Sequence, residues 1–521
     1  MPQGVEGQGS APSAQIAQFR ADGFSALTGM RIPFLSDAFA RSFLGIDVRL
    51  ENFISESGPL REERPYAAYS GFREIRYTRP GLVAGLNHGA GPIRGVFSRP
   101  GVFGGSLFIV SGTTIYRDGS GVGTIAGTDL VCFAASPTNG TSPNQIVAVA
   151  GGAAYLYDGV TLTSFTAIDN GVIGATSDVV YIAGRFIYPQ TGTSRFYWSD
   201  VLDAASVDGA NFAQTNDSAA PILAGAVLND QLVLFTSASV EFWSANAGAG
   251  LTDAAFTPNQ GRGHQRGCAA RDTVRFADND LFWLGDNGTV YRSGATPVRI
   301  SSSSIEDAIR RCANRAGASA FVATFEGHEF YVLTLPGVGA YAYDISRVGT
   351  AEGAYGDSYA RGEWAVWSSF GRAVFRGRVA AYVGGVAYVG DDTTNDVWAM
   401  TVGAWSDGTD PLVRTASAFI KIEEGRPRMD ALICHGVTGM GLSTGQGSAP
   451  LLEIRWSDDL GRTFSRWRAS PLGAQGDYGA RARWSRLGQM RAPGRLVQVR
   501  CSEPVDVALS HLELNPKRPA Q

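Results

Sequence analysis

The sequence predicts an all-β protein: a β-propeller of about seven blades (six to eight) with an appended C-terminal β-sandwich. Three observations predict it. Seven β-hairpin signatures recur roughly 40 to 50 residues apart, beginning near Ser106, Ile146, Arg185, Gln231, Asp280, Glu329 and Val379, which is the period of propeller blades. Each is an apolar strand, a turn rich in Gly, Ser or Thr, and a second strand carrying Tyr, Trp or Phe. Next, 66 glycines and 11% aromatic residues accompany few long amphipathic helical patterns, the composition of a chain with many tight turns. Finally, the texture changes after Asp407 to Asp410, where period-two strands such as Leu452 to Trp456 and Leu496 to Arg500 replace the hairpin signature. That change reads as a separate sandwich.

In chain order, residues 1–45 read as an extended Gly/Ala-rich N-terminal arm with one short helix near Phe34 to Phe43. Residues 46–410 read as the propeller, with the N-terminal segment available to complete a blade. A short helical insertion is predicted near 303–315, because Ser303 and Glu306 form a capping-box pattern. Ile305, Ala308 and Ile309 then recur at helical spacing, and Arg310 and Arg311 follow towards the C-terminal end. Such a helix either seats a neighbour or covers a blade edge. Residues 349–361 read as a long exposed loop, 411–516 as the C-terminal β-sandwich domain and 517–521 as a tail.

Composition excludes several classes. A hydrophobic fraction of 44% argues against disorder, and no stretch approaches the roughly 18 consecutive apolar residues of a membrane span. The first residues lack the basic and apolar regions of a secretory signal, so export by the ordinary route is not expected. Cys132, Cys268, Cys312, Cys434 and Cys501 are scattered, which predicts reduced, buried thiols rather than disulfides or zinc. The net charge of −4 is uneven: from Pro411 onward 16 Lys and Arg face 10 Asp and Glu, leaving 28 against 38 before it.

The search for catalytic, cofactor and metal residues returns none: the five histidines show no paired spacing, and no nucleophile elbow, phosphate loop or dinucleotide fingerprint occurs. Ser457, Asp459, Gly461 and Thr463 resemble the Asp box of sialidases, with Phe464 in place of its Trp, though the box occurs once and outside the repeats, and Arg31, Ile32 and Pro33 faintly resemble the start of the same enzymes. These features open an alternative, a glycan-binding or sialidase-like propeller. The box also has a structural reading, because Asp and Thr side chains satisfy turn backbone groups and Gly supplies positive φ. The basic feature is Arg466, Arg468, Arg481, Arg483, Arg486, Arg491, Arg495 and Arg500, with Asp477 as the one acid between them. Arg481 and Arg483 share one strand face and Ala482 and Trp484 the other. Such a charged face is either solvated or directed at an acidic partner or phosphate backbone. No base-reading motif accompanies it.

Taken in order, several segments resemble one family. They are Glu51 to Phe53, Arg79 to Leu82, Gly91 to Gly95 leading into Leu107 to Tyr116, Leu228 to Trp243, Val298 to Glu306, Glu326 to Leu333 with Tyr343 and Asp344, Trp456 to Phe464, and Trp484 to Gly488. The order and spacing resemble the packaged-DNA stabilisation proteins, or tail hub and nozzle proteins, of short-tailed bacteriophages. The resemblance implies a non-enzymatic virion protein without cofactors, assembled in the host cytoplasm and located in the virion tail. It implies a homo-hexameric ring below the portal and tail adaptor that continues the DNA channel and retains the packaged genome. Needle, spike or fibre proteins would attach to it, and double-stranded DNA would be met without sequence specificity.

Overall fold

Tight two-residue turns set the architecture of the larger unit. In the computed structural model, which describes residues 29–35, 50–57, 74–137, 144–165, 171–246, 255–294, 296–349 and 361–515, this unit comprises Pro80–Val348 and Trp367–Asp410. Ala183-Gly184, Asn229-Asp230, Asp278-Asn279, Glu326-Gly327 and Gly384-Gly385 all place both residues at positive φ. That geometry matches the right-handed twist of the strands it joins, and glycine and asparagine reach it at least cost. Each pair links the first and second strands of a blade.

Seven blades follow. The first is built from Ile93–Phe97, Phe108–Ser111, Thr114–Arg117 and Ser120–Thr124; the second from Cys132–Ser136, Gln145–Ala150, Ala153–Tyr157 and Leu162–Ser164. The third holds Val180–Ile182, Arg185–Pro189, Arg195–Trp198 and Phe212–Gln214, and the fourth Ile222–Leu228, Gln231–Thr236, Val240–Ala245 and Phe256–Pro258. The fifth is Arg275–Ala277, Asp280–Leu284, Val290–Arg292 and Val298–Arg299; the sixth contains Ser319–Phe325, His328–Leu335 and Gly339–Gly349. The seventh joins Gly377–Val383, Val386–Asp391 and Asp396–Thr401 to Gly81–Asn87, which pairs antiparallel with the third of these strands. The N-terminal strand thus completes the last blade.

Apolar side chains fill the spaces between blades rather than a single centre. Phe108, Val110 and Ile115 meet Ile146 and Ala148 between the first and second blades. Ile93, Ile109 and Leu130 meet Val379 and Val397 where the seventh blade returns to the first. The helix is Ser303–Arg311, and its N-cap is Ser302, whose Oγ accepts from Ile305 N, rather than Ser303. Glu306 turns away from the expected capping box to pair with Arg299 at 2.7 Å. Ile305, Ala308 and Ile309 are buried as the spacing predicts.

The second unit comprises 1–79, 349–366 and 411–521. One sheet runs Phe53–Ser57, Glu74–Thr78, Ala508–Leu514, Ala431–Gly436 and Ala482–Ser485, and Met30–Pro33 also pairs with Ala508–Leu514. The other places Leu50–Glu51, Arg414–Lys421, Gly494–Cys501, Leu451–Ser457 and Arg468–Pro471 side by side. Ile32, Phe53, Ala418, Leu432, Ile454, Trp484, Val499 and Leu512 interlock between them. Such side chains contribute roughly 1.5–3 kcal/mol each on full burial.

Two sequence expectations are corrected here. Met30–Pro33, placed in an extended arm, is a strand, because Ile32 is fully buried opposite Leu512. Residues 50–57 and 74–79, placed in the propeller, pair within the sandwich unit through Phe53↔Thr78 and Arg76↔Leu509. Both are long-range pairings that no local pattern announces. Of the short helix expected near Phe34 to Phe43, Phe34 and Leu35 are buried and not helical; residues 36–43, most of the arm, loop residues 350–360 and the tail 517–521 lie outside the described residues.

Candidate functional site

Arg468–Pro471 and Ala482–Ser485 are the edge strands of the two sandwich sheets, and they meet along one lateral edge. Arg483 N donates to Ser470 Oγ at 2.9 Å, and Trp484 Nε1 donates to Arg468 O at 2.8 Å. The alternation predicted for this strand holds: Ala482 and Trp484 are buried, Arg481 and Arg483 exposed. Arg466, Arg486 and Arg491 are also exposed. Among the described residues, none of these five guanidiniums makes an intramolecular hydrogen bond or ion pair.

The remaining predicted arginines have other roles. Arg495 was expected to face a partner but is 1% exposed. Its guanidinium forms a two-pronged pair with Asp458 at 2.7 and 2.8 Å and donates to Leu487 O and Gln489 O. Its strand is covered on both faces, so alternation does not carry it to solvent. Arg468 is half-buried and braces the edge by donating to Ser485 O at 2.9 Å and Arg486 O at 3.4 Å. Arg500 pairs with Glu453 at 2.6 Å and stacks on Trp467, whose ring also contacts Arg455.

The Asp-box residues knit a turn. Asp459 accepts from Arg462 N, Thr463 N, Thr463 Oγ1 and Ser457 Oγ. The Ser457 and Thr463 hydroxyls, followed by the turn's backbone N–H groups, hold its carboxyl well below the usual range. Gly461, at φ 88°, donates its N–H to Ser457 Oγ at 2.7 Å. Every one of these contacts lies within the turn, which itself belongs to the sandwich. Arg31 and Pro33, the other sialidase-like residues, sit on the sandwich strand opposite Glu513 and His511.

On the propeller, the segments leading into the innermost strands converge at Arg271, which sequence reasoning missed. Its Nη1 donates to Ser177 O and its Nη2 to Leu130 O, both at 2.8 Å, while Nε pairs with Asp272 at 2.9 Å. Leu130, Ser177 and Arg271 precede the innermost strands of the second, third and fifth blades, so this side chain crosses between blades. Asp178, also buried, accepts from Val179 N and from Gly225 N of the fourth blade. Burial pushes its carboxyl above the usual range against the pull of Arg271. All three guanidinium nitrogens of Arg271 are engaged, so this arginine is not an open grip for a ligand's carboxylate. No sequence signal marks this arginine, because its partners are backbone carbonyls from distant blades.

Elsewhere, a cleft of ≈ 280 Å³ on the fourth blade is lined by Asp217, Glu241, Phe242 and Asn259. The Glu241 carboxylate there is occupied by the N–H groups of Asn216 and Asp217. Among the described residues no group of three or more His, Cys, Asp and Glu side chains is gathered for a metal. All five cysteines are unpaired. No helix among the described residues is long and apolar enough to cross a membrane.

Comparison with known proteins places these features. Two family models match in chain order: bacteriophage P22 Gp10, beta-propeller, over residues 77–402, and bacteriophage P22 Gp10, beta-sandwich, over residues 421–516. Tail hub protein gp10 of Salmonella phage P22 is 28% identical over 247 residues, covering 44% of this chain and 51% of that protein. The alignment thus spans about half the length of this relative. Among solved structures, PorZ of the Porphyromonas gingivalis type-IX secretion system is similar at 14% identity and a TM-score of 0.35, covering 76% of this chain and 46% of that one. The Cps50 (Swd1) propeller domain of Myceliophteria thermophila is similar at 9% identity and a TM-score of 0.38, covering 61% of this chain and 100% of that one. Likenesses at these scores carry no functional weight. With its propeller matched over more than half of the chain and its sandwich matched in turn, this protein belongs to the bacteriophage P22 Gp10 family, a family of structural tail proteins rather than enzymes.

Proposed function

We propose that this chain is the tail hub of a short-tailed bacteriophage, a structural ring protein below the portal and adaptor that retains the packaged genome. The observation that carries this reading is the succession of a P22 Gp10 propeller and a P22 Gp10 sandwich in one chain, together with a relative named as a tail hub protein. Copies would close a homo-hexameric ring through a heterologous interface, in which one patch meets a different patch on the next copy. Arg271 ties segments of three blades together across the propeller, and on this reading DNA would run between copies and not through a propeller. Needle, spike or fibre proteins would attach to the outer parts of the ring, which would assemble in the host cytoplasm.

The test is genome retention in particles assembled without this protein, from an amber mutant of its gene. Heads that fill and then lose their DNA are the expected result. Particles that keep their DNA but no longer adsorb to host glycans would refute the hub reading and favour a glycan-binding propeller.

A further inference from the structure

The five free arginines lie on and beside two adjoining edge strands of the sandwich and in the turn beyond, as an arginine strip. Arg481 immediately precedes the edge strand Ala482–Ser485 and Arg483 lies on it, both exposed on either side of the buried Ala482. Arg466 leads into the adjoining edge strand, and Arg486 stands at the far end of the first, held at φ 58°. Arg491 lies in the turn beyond, which is anchored by Arg495 through Leu487 O and Gln489 O. The scaffold under the strip is therefore fixed, while its charges are left open.

What surrounds these charges distinguishes between partners. A protein–protein interface buries apolar and aromatic anchors at its centre and is depleted in charge there. Here most of the other exposed residues on and around the two edge strands and the turn are small or polar, among them Ala469, Ser485, Gly488, Gln489 and Ala492, with Pro471, Pro493 and the single aromatic Tyr478 as the apolar exceptions and Asp477 as the one acid. No large apolar side chain between Arg481 and Arg491 is exposed. Interfaces with nucleic acid are instead polar and strongly positive, and the planar guanidinium fork fits phosphate oxygens. No base-reading motif accompanies these arginines.

We infer that this sandwich edge is a binding site for the phosphodiester backbone of double-stranded DNA, independent of sequence, with Arg466, Arg481, Arg483, Arg486 and Arg491 as its contacts. It deepens the hub reading by giving the genome a specific surface on the protein. Binding is electrostatic, so its affinity falls with salt in proportion to the number of phosphates neutralised.

The experiment is titration of a fluorescently labelled random-sequence duplex with the full chain at several salt concentrations. The unaltered protein is compared with R481Q/R483Q/R486Q and with the control R310Q/R311Q, which removes exposed helix arginines far along the chain. All substitutions are at exposed positions, and unchanged melting temperatures confirm that the variants are folded. The expected result is a salt slope smaller by about 3 in the strip variant, roughly 1 per lost phosphate contact, and unchanged in the control. Equal slopes and affinities in all three proteins would overturn the site. Intact DNA binding in a strip variant that no longer enters particles would also overturn it, and would mark the edge as a surface for an acidic protein. Neither outcome depends on genome retention, so failure of this site and failure of the hub reading are separable.

Discussion

Arg495 and Arg483 lie in the same arginine-rich stretch and have opposite fates. The first neutralises Asp458 inside the sandwich and satisfies two carbonyls, while the second meets only solvent. Removing Arg495 leaves the Leu487 and Gln489 carbonyls without their donor, at about 1–3 kcal/mol for each buried group left unsatisfied, whereas an exposed substitution shifts stability by about 0.5 kcal/mol or less. Arg495→Ala should therefore lower the sandwich's urea midpoint sharply while Arg483→Ala leaves it in place. Equal midpoints would contradict the burial assigned to Arg495. Sequence could not separate the two: both arginines lie in period-two strands, and only the sheet covering each face decides which is buried. Asp459 was more legible, because the turn it closes is local and Ser457, Gly461 and Thr463 stand at the spacing the turn needs.

At the scale of elements, legibility follows length. The hairpins read from sequence correspond to the second and third strands of the first six blades, which run four residues or more in almost every case. Strands such as Val180–Ile182, Leu162–Ser164 and Val298–Arg299 are too short for a period to register. The seventh signature, near Val379, is instead a first and second strand, since the N-terminal Gly81–Asn87 supplies the outer one. The strand Met30–Pro33 went unread because its partner, Ala508–Leu514, lies at the other end of the chain, and it bears on a pH response. His511, opposite Pro33, stacks on His435 with ring centres 4.5 Å apart, and His435 Nε2 meets Glu513 at 2.7 Å. Burial, then His435 and Arg31, push His511 down to about 3. Its folded pKa lies below the ordinary value of about 6.5, so as pH falls from there the unfolded chain takes up a proton that the folded chain refuses. Stability should fall between about pH 6.5 and 3 on this account. His511→Gln should flatten the dependence of melting temperature on pH within that window. An unchanged profile would show that His511 titrates normally in the folded protein.

For the whole molecule, the order of propeller and sandwich was legible because blade-length repeats and a change of texture are statements about long stretches of chain. The arginine that crosses between blades was not, since Arg271 draws its partners from Leu130 and Ser177, which are far away in sequence. That tie across the blades supports the central claim, in which the DNA conduit lies in the space between copies and not within a propeller. The measurement that tests this most directly is electron cryomicroscopy of the tail in DNA-filled particles containing this protein. The account predicts propellers arranged in a ring around axial DNA density, with no DNA inside any propeller. DNA density threading a propeller, or tails without this chain, would contradict it.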